Sequence, residues 1–182
     1  EIARSSGTGA GFGVGQFVKA LTTPPSTIAL SSGSMIAPHI TVVDGTRLVN
    51  FANYGANGIE NAVPTNTVNT AAFTTGLTGG NQFVYVDFAA AALTSTLGDN
   101  PDVMALKVGA GISAATATTI ANGAGTSIKI RSGGLIISGD TTAGFYSNGS
   151  GTQTTINPAL NFNDGTSNVE ALINVRGGTT GI

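Results

Sequence analysis

Ser127-Ile-Lys-Ile-Arg-Ser-Gly-Gly-Leu-Ile-Ile-Ser-Gly139 reads as two short strands joined at a glycine pair. Ile128 and Ile130 alternate with Lys129 and Arg131, so one face is aliphatic and the other polar, which is the period of a strand. The grouping aliphatic-x-aliphatic-x-x-Gly found here at Ile128 to Gly133 also occurs at Ile40 to Gly45, Leu106 to Gly111 and Ile173 to Gly178. The starts are spaced at near multiples of about 22 residues, a length that suits one coil of a parallel β-helix. Val84-Tyr-Val86 lies one such step before Leu106 but lacks the glycine. The expected fold is therefore all-β, a parallel β-helix (solenoid) with coils of about 22 residues. A β-sandwich or jelly roll is the alternative.

Working outward, short apolar runs separated by Gly, Asn and Asp place further strands at 40–43, 47–51, 83–88, 103–108, 118–120, 154–156, 159–162 and 169–175. Asp44-Gly45, Asn57-Gly58, Asn122-Gly123, Asn148-Gly149 and Asp164-Gly165 are turn dipeptides that adopt positive φ at low cost. Two helical turns are expected, at Asp87 to Leu97 with its Ala run and at Asn69 to Thr74. Phe83, Tyr85 and Phe88 are expected in the core or in a lateral contact. On a 22-residue repeat, Lys107 and Lys129 stack on one solvated outer face.

The N-terminal part differs. Gly7, Gly9, Gly11, Gly13 and Gly15 alternate with small or apolar residues, including Phe12 and Val14. No nucleotide-binding pattern is completed there. Residues 1–26 are read as a Gly-rich arm ending in a Thr22-Thr-Pro-Pro-Ser26 hinge, and 27–182 as a single all-β solenoid domain. The arm residues Gly7, Gly9, Gly11, Phe12, Gly13, Val14 and Gly15 are candidates for docking on a neighbour's free sheet edge. The chain opens on Glu1 rather than Met, and is read as processed or as part of a longer chain or assembly.

Composition excludes several kinds of chemistry. The chain has no Cys, so disulfides, thiol nucleophiles and Cys-ligated zinc are out. Seven Lys and Arg stand against nine Asp and Glu, without a basic cluster, so nucleic acid is not an expected partner. No apolar run approaches the ~18 residues that span a bilayer. His39 alone makes neither a metal site nor a triad, and no catalytic residue or cofactor is expected. Gly98-Asp-Asn-Pro-Asp102 places Asp99 and Asp102 close together. They are the weak candidates for a calcium loop, with turn capping as their ordinary use. Asn148-Gly-Ser150 is a glycosylation sequon, and Tyr146 is the aromatic best placed for a sugar.

Residues 103–182 carry a rhythm of strand, Ser-Gly-Gly-Leu, strand and Ser-Gly, then Gly149-Ser-Gly-Thr152, Thr155-Ile-Asn-Pro-Ala-Leu-Asn-Phe162 and Val169 to Gly178. This resembles the autotransporter-associated β-strand repeat proteins of bacterial surfaces. The resemblance implies a right-handed parallel β-helix, export, and an extracellular, surface-structural or passenger role. The expected function is thus a non-enzymatic structural protein of a bacterial cell surface. It either self-assembles into a filament or layer, with itself as partner, or forms a segment of a long adhesin. The alternatives are a module binding surface polysaccharide and, third, a glycan-degrading β-helix enzyme.

Overall fold

The computed structural model describes residues 2–3, 23–43, 49–56, 58–88, 94–110, 118–139 and 154–176, and among these there is no helix. Six strands come first: β1 (Ile2–Ala3), β2 (Ile28–Ala29), β3 (Ser34–Met35), β4 (Thr41–Val43), β5 (Val49–Gly55) and β6 (Gly58–Asn61). β4, β5 and β6 form an antiparallel meander with β1 added in parallel at its edge. Twelve strands follow: β7 (Asn66–Val68), β8 (Ala72–Phe73), β9 (Phe83–Val86), β10 (Thr94–Leu97), β11 (Asp102–Val103) and β12 (Ala105–Ala110), then β13 (Thr118–Ala121), β14 (Ser127–Ile130), β15 (Gly134–Gly139), β16 (Thr154–Ile156), β17 (Ala159–Phe162) and β18 (Leu172–Arg176).

These twelve strands fall into three sheets, of order β18-β15-β12-β9-β7, β16-β13-β10-β8 and β11-β14-β17, in which every pairing is parallel. From β9 onward the chain visits the three in strict rotation. Antiparallel sandwiches and jelly rolls do not have this pairing. The three sheets share one core. Val84, Leu106 and Leu135 stand in register on the first sheet, Ser95, Ile120 and Ile156 on the second, and Val103, Ile130 and Phe162 on the third. Stacking like on like fills the interior without requiring any one residue to be large.

The spacing departs from the expected 22. In the five-stranded sheet Asn66 pairs with Val84, Val84 with Leu106, Leu106 with Leu135, and Leu135 with Ile173. The steps are therefore 18, 22, 29 and 38 residues. The connections from this sheet to the second, 69–71, 87–93, 111–117 and 140–153, take up the growth from 18 to 22 and most of that from 29 to 38, but none of that from 22 to 29. A corner can lengthen at small entropic cost while the strands keep register. Two expectations fall with the even period. Lys107 pairs with Tyr85 and Ile136 rather than stacking with Lys129, which pairs with Asp102 and Asn161 in another sheet. Thr94–Leu97 and Ala72–Phe73 are strands, so the helices expected at Asp87 to Leu97 and Asn69 to Thr74 do not extend through them, and the Ala run at 89–92 lies outside the described residues.

A second core lies on the outer face of the five-stranded sheet. Phe83, Ala105 and Ile136 pack against Met35 of β3 and against Val43, Val49 and Phe51 of the meander. Phe51 and Phe83 meet edge to face, with centroids 5.2 Å apart. The close approach excludes a side chain at residue 134, where a Cβ would meet Pro38 and the Phe51 ring.

Candidate functional site

Three polar constellations sit on this frame. The first is on the third sheet, where Asp102 of β11 lies beside Lys129 of β14. Arg131 follows β14, and its backbone N–H donates to Val103. Its Nε donates to Asp102 Oδ1 at 2.8 Å and its Nη2 to Oδ2 at 2.9 Å, while Lys129 Nζ reaches Oδ2 at 3.1 Å. A forked guanidinium on a mostly covered carboxylate is the strong form of this interaction. These hydrogen bonds hold the Asp102 carboxyl below the ordinary aspartate range, against the opposing effect of burial. Arg131 is raised in turn by the same carboxylate. Asp164 caps its own turn, accepting from the Thr166 hydroxyl and from the backbone N–H groups of Thr166 and Ser167. Its carboxyl is lowered to about 2 chiefly by those bonds.

Depressed carboxylates stabilise the folded state above their unfolded pKa and lose that contribution as pH falls through the folded one. Stability is therefore expected to drop as pH falls from about 4 toward 2. Asp102→Asn should lower stability at neutral pH by about 1 kcal/mol and shallow that acid limb, leaving the part due to Asp164. Chemical denaturation at a series of pH values reads both.

The second constellation is at the corner between the second and third sheets. Asn100 Oδ1 accepts from the backbone N–H of Thr126 at 2.8 Å and of Ser127 at 3.0 Å, latching one turn to the next. Asp99 Oδ2 accepts from the Gly76 N–H at 2.7 Å. The two carboxylates expected to share a cation therefore serve different partners, Asp99 a backbone amide and Asp102 two cationic side chains. Among the described residues no three His, Asp or Glu side chains come together as a metal site would require.

The third lies between the five-stranded sheet and the meander. Lys107, on the central strand, is only 4% exposed, which corrects the expected solvated face. The meander covers that face, so Lys107 Nζ donates to Asn50 Oδ1 at 2.5 Å and lies 4.7 Å from the Tyr85 ring centroid. Tyr85 Oη in turn donates to Asp87 Oδ1 at 3.3 Å. The lysine's role was missed because its outward position resembles that of Lys129. The available signal was Phe83-Val-Tyr-Val86 and Leu135-Ile-Ile137, which are apolar on both faces, as strands covered on both sides are.

A crevice of about 340 Å³ lies where Pro38, His39 and Thr41 face Leu172 and Asn174. His39 is exposed there. The arm residues Gly7, Gly9, Gly11, Phe12, Gly13, Val14 and Gly15, together with Tyr146 and Asn148, lie outside the described residues. No helix is long and apolar enough to cross a membrane among the residues described. No family model matches the chain, and no curated protein or solved structure does.

Proposed function

We propose that residues 66–176 form part of a right-handed parallel β-helix, and that the protein is a non-enzymatic structural component of a bacterial cell surface that lengthens by adding strands. The rotation of the chain through three parallel sheets supports the first part. Crossovers between parallel strands of one sheet are right-handed in about 98% of cases, which favours that hand. The resemblance of residues 103–182 to autotransporter-associated repeats supports export and a surface role.

The observation that carries the reading is the difference between the two ends of the core. At the first turn Val68, Phe73 and Leu77 are at most 2% exposed. At the last turn Ile173 and Val175 are 52% and 64% exposed, although they stand in register with buried Leu135 and with Ile137. Among the described residues β18 is paired on its β15 side alone. An aliphatic column and an unpaired strand edge together form a template for another parallel strand with aliphatic residues at alternate positions. A further stretch of such strands, from a copy of the chain or from a longer adhesin, completes it.

Electron microscopy of the native material tests this. Continuous fibres are expected of a filament subunit and long tapered rods of an adhesin segment. Separate compact particles would overturn both. In the purified chain, Ile173→Lys with Val175→Lys should abolish self-association in analytical ultracentrifugation and leave the fold intact, since both side chains are already exposed. Association that survives both lysines places the contact elsewhere.

A further inference from the structure

We propose that the crevice between the meander and β18 seats an outward-facing aromatic side chain of the strand that pairs with β18. The inference rests on the open end and specifies its partner: a parallel strand with aliphatic residues toward the core and an aromatic on the other face. Strand addition draws affinity from main-chain hydrogen bonds and specificity from pockets that take alternate side chains. Ile173 and Val175 receive the inward side chains, and the crevice receives an outward one.

On the outer face of the five-stranded sheet Tyr85, Lys107, Ile136 and Asn174 stand in register, and Leu172 stands beside Gly134. The meander covers this face as far as β15. Ile136 is fully buried, and a Cβ on Gly134 would meet Pro38 and Phe51. One strand further, Leu172 and Asn174 are only half-buried. The sheet thus continues past its cover and makes a step, with β18 as the floor and Pro38, His39 and Thr41 as the wall. A strand added to the edge of β18 meets this step with its outer face. Its outward residues fall in register with Leu172 and Asn174, because side chains alternate between faces along both strands.

The lining selects the side chain. Pro38, Ala171 and Leu172 are apolar, whereas His39, Thr41 and Asn174 carry polar groups. A ring with a polar tip suits both, its face on the proline and leucine and its hydroxyl toward the polar groups. A volume of about 340 Å³ accommodates one such ring. The crevice continues the buried interface between the two layers, where Phe51 and Phe83 pack edge to face. The chain itself contains a strand of the required type. In Phe83-Val-Tyr-Val86 the two valines face the core, and Phe83 and Tyr85 face outward.

Fluorescence anisotropy with two labelled, end-blocked peptides on the full chain tests the proposal. One peptide copies residues 82–87, Gln82-Phe-Val-Tyr-Val-Asp87. The other carries Phe83→Thr and Tyr85→Thr, which keeps the strand propensity and both valines. Both should bind, the first about tenfold more tightly. Ala171→Phe fills the crevice from an exposed position, and should remove that advantage without changing the affinity of the second peptide. Ile173→Lys with Val175→Lys should abolish binding of both. Equal affinities for the unaltered chain, or an advantage that survives Ala171→Phe, overturn the role of the crevice and leave the open end standing. If neither peptide binds, or if binding survives the two lysines, the open end falls with it.

Discussion

Gly133→Val is expected to detach β18 from the five-stranded sheet. Gly133 sits at φ +76°, a region that branched residues scarcely enter. A Cβ there would also run into the backbone carbonyl of Glu170, which cannot swing aside as a long side chain does. Its own carbonyl accepts from the Leu172 N–H at 2.9 Å and so starts the pairing of β18. Strain and clash together should cost about 4 kcal/mol. Denaturant unfolding reads the effect: a lower midpoint together with a smaller slope would mean that β18 has already separated before the global transition. An unchanged midpoint would show that the turn tolerates a side chain.

Leu106→Ala should have an effect of similar size for a different reason. Leu106 is fully buried between Val84 and Leu135 in its column, at the centre of the core shared by all three sheets. Removing its branched end leaves a void that rigid stacked neighbours cannot close, at a cost of about 3–5 kcal/mol. The same change at Ile173 should cost well under 1 kcal/mol, because that side chain is half exposed. Thermal denaturation of the two variants side by side separates a filled column from an open one. Equal losses would mean that the last strand is covered in solution.

The strands were largely legible in the sequence, and the reason is local. Ile128-Lys-Ile130, Leu106-Lys-Val108 and Ile173-Asn-Val175 each carry two aliphatics at the strand period, and that pattern depends on nothing distant. The spacing was not legible. The corners have their own lengths, so an even repeat read from glycine-marked groups put Ile128 and Leu106 in one column, whereas they stand in different sheets. Thr94–Leu97 was hidden by the Ala run before it and exists because Leu97 and Ser95 have partners in Phe73 and Ile120. The polar sites divide in the same way. Asp164 as a turn cap is written in Asp164-Gly165 beside Thr166. The Asp102–Arg131 fork and the Lys107–Asn50 contact bridge 29 and 57 residues, and no local pattern announces them.

The difference between the two ends of the core also bears on the order of events in time. A chain made from its N-terminus completes Val68, Phe73 and Leu77 first, and these are the residues sealed in the final structure. On the proposed β-helix each later strand then arrives beside a formed edge that fixes its register, and the loop to close is one step of 22 to 38 residues. If the proposed β-helix holds, the costly nucleation step falls once, at the sealed turn, and later strands add to a formed edge in the manner of stacked repeats. Ile173 and Val175 mark the advancing front of that growth.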